Sequence, residues 1–469
     1  MNKTLKVITN LYRRKIPTFL RQSLYNLELR VSYWYNPLLK NRVTIYAVNN
    51  LYEACKKELK KNNLIITHNF HEIFRKNLVR SYLVDNKWWS DFIILTSLPG
   101  GSEFEKTNQS LINRIDTSNF NSLEYYEILH IYSLSVRFGL FELGFHLREK
   151  SLKVALTYSV FFKKSEIWKL KAKLSALLET GNFSEFDHLF PLFKGKWKNE
   201  ILFLKNLREL LGENKNLSNI ELVSNFNSKN DLKFRKFLEN KKIAIVSPSP
   251  VDKKDGYEID NSSDIVIRTR YMAKYSLHEQ MMKGSKCDVT YMYADHSRYI
   301  SEKGCLQWPL DISWIVGKAP SQSEIILKRL FLDGVNIKNL RGRTIETIDK
   351  ALFNGALHGL PNIVMDILHS NPKKIFLYHF DMMLTKERVA GYTPENLKEN
   401  KDVKYLVNKR LNGLAGHDPV TQFVIMKSFW KRGIVDGDYR FEEVMKMKVE
   451  DYMKNLQKYY RKLINVEID

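Results

Sequence analysis

Apolar residues in the first half of the chain recur at spacings of three and four, which is the period of an amphipathic helix. The clearest runs are LYEACKKELKK (51–61), HEIFRKNLVRSYLV (71–84) and KLKAKLSALLETGNFSEFDHLFPLF (169–193). This pattern predicts an all-helical domain over residues 1–235.

Two segments of this half resemble each other, GLFELGFHL (139–147) and GNFSEFDHL (181–189). Each places Gly first, Phe third and Leu ninth after a helical run. Gly lets the chain turn between two antiparallel helices, and the apolar residues pack the second helix against the first. The pattern indicates a helical-hairpin repeat of the tetratricopeptide kind, and the alternative is two unrelated hairpins that share these residue types.

The pattern changes at Lys242, after a polar stretch. Apolar runs rich in β-branched residues now alternate with helical stretches, the runs being IAIVS (243–247), SDIVIRT (263–269), CDVTYMY (287–293), ISWIVG (312–317) and KKIFLYHF (373–380). Such alternation predicts an α/β domain over residues 240–440, with a mostly parallel, Rossmann-like sheet covered on both faces. Ligands of these sheets bind beyond the carboxyl ends of the strands.

The last segment, residues 441–469, has the pattern of a basic amphipathic helix. Its apolar stripe consists of Met445, Val449, Tyr452, Leu456, Tyr459 and Leu463, with lysines around it. We predict a helix docked on the preceding domain. The alternative is an interfacial helix on an anionic membrane surface.

Charge narrows the choice of partners. Lys and Arg exceed Asp and Glu by 75 to 52, which gives a formal net charge of +23. This favours nucleic acids, anionic lipids or phosphorylated substrates. Because the charge is spread along the chain without a zinc-finger or RNA-binding pattern, we expect no nucleic-acid partner. The three cysteines are far apart, as expected for reduced thiols in a cytoplasmic protein.

The first candidate ligand-binding residues lie in the turn after the first predicted strand. A phosphate-binding turn is expected there, yet the chain has no G-x-G-x-x-G and no G-K-[ST]. It carries Ser247, Pro248, Ser249 and Pro250 instead, followed by Gly256, by Glu258-Ile259-Asp260 and by a second strand that ends Arg268-Thr269-Arg270.

This stretch resembles the large motif of the sialyltransferases, in which a strand and a small-residue loop precede a Gly, an acidic-apolar-acidic triplet and a second strand. The resemblance continues in FNGALHGLPNIVMDILHSNPKKIFLYHFD (353–381), which is similar to the small motif of that family. Asn354 and Gly355 stand at its turn, and His379 and Asp381 at its strand end. In GHDPVTQ, His417 precedes Gln422 by five residues, where the last motif of the family has His and Glu.

The resemblance implies a Rossmann-like, inverting glycosyltransferase that takes a sugar from a CMP-activated donor without a metal. The general base would be His417, with His296 as the alternative. The donor-binding residues would be Ser247, Pro248, Ser249, Gly256, Asp260, Arg268, Arg270, Asn354, Gly355, His379 and Asp381. The implied partners are a sialic acid or related 2-keto sugar acid as donor, and a glycan or lipid-linked glycan as acceptor. The helical half would bind a partner enzyme, a polymer or a membrane surface.

Three departures keep alternatives open. The loop after the first strand lacks the usual Gly and Asn of the family, Arg270 replaces the Asn of the family motif, and Gln422 replaces the Glu. Two arginines at a strand end suit a pyrophosphate-activated donor, such as phosphoribosyl pyrophosphate or a nucleoside diphosphate sugar. A helical-repeat adaptor that binds a nucleotide without turnover is the non-enzyme alternative. The Asp436 and Asp438 pair has a metal-binding spacing, but its Gly favours a turn, so we expect no metal.

Overall fold

The chain is a mixed α/β protein with an N-terminal helical region and a seven-stranded, all-parallel sheet. This confirms the predicted α/β class and the helical first half. The structure is a computed structural model that describes residues 45–61, 66, 68–77, 79–160, 166–192, 198–212, 229–249, 251, 253–269, 271, 275–292, 312–317, 336–339, 359–385 and 403–465.

Amphipathic helices of the N-terminal region pack on an apolar core that continues into the sheet and the C-terminal helices. They are α1 (Ile45–Leu59), α2 (His68–Lys76), α3 (Asn86–Ser97), α4 (Ser102–Asn113), α5 (Tyr125–Arg137), α6 (Phe141–Leu156), α7 (Ile167–Glu179), α8 (Phe183–Leu189) and α9 (Lys198–Leu211). The two similar segments form the turns of α5–α6 and α7–α8. Gly139 and Gly181 both have a φ of +75°, the left-handed conformation that ends a helix without steric cost in Gly. The hairpins therefore exist, and the tetratricopeptide assignment stays a prediction.

The strands are β1 (Lys242–Val246), β2 (Ile265–Thr269), β3 (Val289–Met292), β4 (Trp314–Gly317), β5 (Asn336–Asn339), β6 (Lys374–Tyr378) and β7 (Asp436–Gly437). Their order in the sheet is β5-β4-β3-β2-β1-β6-β7. Strands β2, β3 and β4 are buried at every position, as their continuous apolar runs predict for a sheet covered on both faces. The chain winds outward from β1 to β5 and then returns to β6 on the other side of β1. The strand order therefore reverses between β1 and β6, where ligands of open α/β sheets bind.

Helices around the sheet include α10 (Lys229–Leu238), α11 (Gly256–Ser262), α12 (Leu277–Lys283) and α13 (Gly359–Leu368). Helix α10 lies against β4 and β5: the Phe234 ring meets the Trp314 ring edge-on at 5.1 Å, and Asn230 Nδ2 donates to Ile337 O at 2.9 Å. This helix therefore packs on the sheet, and the predicted domain bounds stay a prediction.

The C-terminal helices are α14 (Val403–His417), α15 (Pro419–Lys431), α16 (Tyr439–Lys446) and α17 (Val449–Asn465). They join the sheet to the N-terminal helices. The predicted terminal helix is two helices, and Tyr452, Leu456 and Tyr460 of its apolar face are buried in the protein. The prediction of a docked helix therefore holds for α17, whose apolar face is covered by the rest of the protein. Among the described helices, none combines the length with the apolar composition that a membrane-spanning segment requires.

Candidate active site

The loop after β1 is held tightly against β6. Ser247 N donates to Tyr378 O at 2.9 Å, which continues the β1–β6 ladder by one residue. Ser249 N then donates to Ser247 Oγ at 3.2 Å, and the two hydroxyl oxygens lie 3.1 Å apart. Ser247, Pro248 and Ser249 are all buried. The predicted loop is therefore a preformed turn at the point where the strand order reverses.

A buried lysine that the sequence analysis missed lies against this loop. Lys283, the last residue of α12, is 1% exposed. Its ammonium donates to Ser247 O at 2.7 Å and also to Ser249 O. The lysine fixes the loop and brings a positive charge to it. The sequence signal was slight: a lysine at the end of a helix, before Gly284, is typical of an exposed helix terminus.

Three predicted donor-binding residues build the framework under the loop. Arg268 is 1% exposed, and its Nε and Nη2 donate to Lys286 O at 2.9 Å and Lys283 O at 2.7 Å. Asp260 accepts from the backbone N–H groups of Ser285 and Lys286 at 2.7 and 3.0 Å. A Cβ on Gly256 would lie 2.0 Å from Gln280 O, so only Gly allows α11 and α12 to approach this closely. Their direct contact with a donor stays a prediction.

His379 meets two carboxylates just after β6. Its Nδ1 lies 3.0 Å from Asp438 Oδ2 and 4.0 Å from Asp255 Oδ2, and its backbone N donates to Asp438 Oδ2 at 2.6 Å. Burial acts to raise the pKa of Asp438, but hydrogen bonds from the His379 ring and from backbone N–H groups outweigh it and hold the pKa below its usual value. An Nδ1–H donated to Asp438 leaves Nε2 as the acceptor of the ring. This Nε2 is buried and has no hydrogen-bond partner in the described structure.

The sequence analysis assigned no site role to Asp255 or Asp438. Asp438 also caps α16 by accepting from Phe441 N at 3.0 Å, as the turn interpretation of this segment requires. Its contact with His379 depends on β7, a strand of only two residues, which is too short to show a sequence pattern. Asp255 pairs with Lys253 Nζ at 2.9 Å.

The cluster of Asp255, His379 and Asp438 is also a potential metal site. One ligand atom from each residue lies within 4.8 Å of the others, and two carboxylates with an imidazole suit a divalent cation. The carboxylates already accept hydrogen bonds or pair with Lys253, however, and the expectation of no metal stays a prediction.

The chain after His379 adopts an uncommon backbone conformation. His379, Met382 and Met383 have φ values of +65°, +49° and +74°. Such values are costly for residues other than Gly and concentrate at functional sites. Asp381 supports the segment by accepting from Met383 N at 3.0 Å and from Arg440 Nη2 at 3.0 Å. Helix α17 supports it too, since Tyr452 OH donates to Met382 O at 2.7 Å.

His417 is the last residue of α14 and is half-buried. The next residue, Asp418, is the N-cap of α15, which leads into β7. A helix that leads into a parallel strand runs antiparallel to it, so we infer that His417 lies on the carboxyl edge of the sheet, the edge that also carries the loop after β1. Asp418 is buried in an ion pair with Arg148 at 2.6 Å, which fixes this junction.

Arg270, His296, Asn354 and Gly355, the remaining predicted site residues, lie outside the described residues. No protein-family model matches the chain, and no curated protein sequence matches it. The candidate site thus combines a buried serine loop, a buried ammonium group and a histidine beside two carboxylates, all at the reversal point of a parallel sheet.

Proposed function

We propose that the chain is a glycosyltransferase of the sialyltransferase-like class, with a Rossmann-like sheet that binds a CMP-activated sugar at the carboxyl edge of β1 and β6. The observation that carries the proposal is the contact of the buried Lys283 ammonium with the Ser247–Ser249 loop. An ammonium group and serine hydroxyls at the reversal point favour an anionic ligand there.

The negative charge of the bound ligand would be modest, which favours CMP as the leaving group. A single phosphate can be neutralised by one ammonium group and by hydrogen bonds from hydroxyl and backbone donors, without a divalent cation. The acceptor hydroxyl oxygen would form the new bond to the anomeric carbon of the donor. The bond from that carbon to the phosphate oxygen would break with its electron pair, which leaves on CMP.

We propose His417 as the base that takes the proton from the acceptor hydroxyl. Its half-buried position at the end of α14 and the topology of α15 support this role. His379 is 1% exposed and paired with Asp438, which favours a role in shaping the donor pocket over contact with the acceptor. His417→Asn should then lower kcat by about 10²–10⁴-fold with little change in donor affinity, whereas His379→Asn should weaken donor binding.

The second candidate, a pyrophosphate-activated donor, depends on Arg268 and Arg270. Two of the three guanidinium nitrogens of Arg268 donate to backbone carbonyls, and its Nη1 is buried without a partner in the described structure, so this residue keeps donors that a second phosphate could use. The nucleotide-binding adaptor is the third candidate, and it differs from the first two in predicting binding without turnover.

A thermal-shift screen against CMP, CDP, UDP, GDP and phosphoribosyl pyrophosphate, with magnesium or with EDTA, separates the three. A ligand that binds only the folded state raises the melting temperature by mass action. Stabilisation by CMP that is equal with magnesium and with EDTA supports the proposal. Stabilisation by a pyrophosphate ligand and not by CMP would replace it with the second candidate. Binding of CMP-sugars without release of CMP in the presence of varied glycan acceptors would favour the adaptor.

A further inference from the structure

A cleft lies between the N-terminal end of α4 and the helix α17. Its volume is about 730 Å³, and its lining includes Gly101 and Phe104 from the α4 side and Lys458, Arg461 and Lys462 from α17. Small-molecule sites have volumes of roughly 300–1,000 Å³. The lysines that gave α17 its basic character in the sequence therefore face a cleft of the size that a small ligand needs.

Arg461 is a buried cation without a counter-ion in the described structure. It is 4% exposed, and its Nη1 and Nη2 make only long hydrogen bonds, to Leu98 O at 3.3 Å and Phe138 O at 3.2 Å. Its Nε is buried without a partner. Burial lowers the pKa of Arg461 to about 10. Because buried charges in proteins are normally paired, a guanidinium group in this state favours an anion in the cleft that it lines.

The N-terminal end of α4 adds donors to the same cleft. Gly101 is the N-cap of this helix of 12 residues, and no side chain caps it. The first N–H groups of a helix have no partner within it and carry a partial positive charge. A Cβ on Gly101 would meet no atom within 4 Å, so the cap faces open space.

Two of the three lysines that line the cleft are available for a ligand. Lys458 and Lys462 are exposed, and neither makes an ion pair with a residue that the structure describes. Lys454, one turn earlier, differs from them because it pairs with Glu450 at 2.8 Å and approaches Glu142 at 3.6 Å. Glu105 and Glu142 also line the cleft, so its lining is mixed rather than uniformly positive.

We propose that this cleft binds a small phosphorylated sugar, with the phosphate near Arg461, Lys458, Lys462 and the N-terminal end of α4. A phosphate monoester carries nearly two negative charges and three acceptor oxygens, which match guanidinium and ammonium groups and helix N–H donors. The sugar hydroxyls would donate to the carboxylates of Glu105 and Glu142. A cleft of about 730 Å³ has room for this polar body as well as for the phosphate. The proposal does not rest on the proposed glycosyltransferase function.

The test is isothermal titration of the full chain with glucose 6-phosphate, glucose and inorganic phosphate at constant ionic strength. The perturbed protein is the double variant Lys458→Gln/Lys462→Gln. The matched control is Lys57→Gln/Lys60→Gln, which removes the same charge from two exposed lysines near the end of α1, outside the cleft. We expect glucose 6-phosphate to bind, glucose not to bind, and the cleft variant to weaken Kd at least tenfold while the control leaves it unchanged.

Four results would overturn the proposal. Equal affinity of the cleft variant and the control would place the ligand elsewhere, and loss of binding in Ser247→Ala/Ser249→Ala would assign it to the donor site. Inorganic phosphate that binds as tightly as glucose 6-phosphate would show that the cleft does not recognise the sugar. Binding of anionic-lipid vesicles that the cleft variant loses and the control keeps, without any binding of glucose 6-phosphate, would replace the small ligand with a membrane surface.

Discussion

Replacement of one carboxylate should test how the helical region and the sheet are held together. Asp418, at the start of α15, lies in a network with three side chains of the N-terminal helices. Arg148 Nη1 approaches its Oδ2 at 2.6 Å, and Tyr132 OH donates to its Oδ1 at 2.6 Å. Arg148 also pairs with Glu179 at 3.0 Å. We predict that Asp418→Asn, which keeps the shape but removes the charge, strongly destabilises the protein.

The magnitude follows from burial. The side chains of Arg148 and Asp418 are 4% and 1% exposed, so the arginine would lose a carboxylate that water cannot replace. Removal of one partner of a buried pair costs about 3–5 kcal/mol, and the lower end applies here because Arg148 keeps Glu179 as a partner. Unfolding entropy of about 2.1 cal/mol/K per residue, taken over 469 residues, converts a cost of about 3 kcal/mol to a fall in Tm of about 3 °C.

Differential scanning calorimetry of the wild type and Asp418→Asn measures this fall. The matched control is Glu442→Gln, which removes one carboxylate from an exposed pair with Lys446 at 3.8 Å and should cost less than about 0.5 kcal/mol. An Asp418→Asn protein that melts within 1 °C of the control would refute the inference that this pair joins the two regions.

Three further predictions concern α11, α14 and α5. Gly256→Ala should lower the free energy of unfolding by about 3 kcal/mol, because its Cβ would lie 2.0 Å from the backbone oxygen of Gln280. Urea denaturation measures this loss, and an unchanged free energy of unfolding would show that α11 and α12 can separate freely. Gly413→Ala, in a helix position with no atom within 4 Å of the new Cβ, should instead stabilise the protein by about 0.5–1 kcal/mol. Burial lowers the pKa of His130 to about 4, so the unfolded chain binds a proton between pH 6.5 and 4 that the folded chain excludes. The stability that this residue contributes is present above pH 6.5 and falls by about 3 kcal/mol as the pH drops to 4. His130→Gln should therefore flatten the plot of the free energy of unfolding against pH between these values. An unchanged slope in that plot would contradict the buried neutral state of His130.

The sequence was informative where a local pattern determines the structure. The five predicted strands were continuous apolar runs, and burial on both faces of a parallel sheet requires such runs. The turns at Gly139 and Gly181 were visible because a left-handed helix end favours Gly. Strands β5 and β7 were not predicted, since NIKN and DG are short and polar and pair only because the sheet edge offers them a neighbour.

The site was harder to predict because its members meet only in the folded chain. Ser247 and Ser249 follow a strand and could be found by position. Lys283 could not, since its burial under the loop depends on the close approach of α11 and α12 at Gly256. Arg268 shows the opposite case. Its place near a strand end suggested ligand binding, but its Nε and Nη2 donate to backbone carbonyls at the end of α12 and just after it, and its Nη1 is buried.

The most direct test of the central claim is calorimetric titration of CMP into the full chain in the presence of EDTA. The account predicts metal-independent binding to the wild type, at least tenfold weaker binding to Ser247→Ala/Ser249→Ala, and unchanged binding to Lys458→Gln/Lys462→Gln. Equal affinity of CMP for the wild type and the serine variant, or a requirement for a divalent cation, would contradict a CMP site built on the loop between β1 and β6.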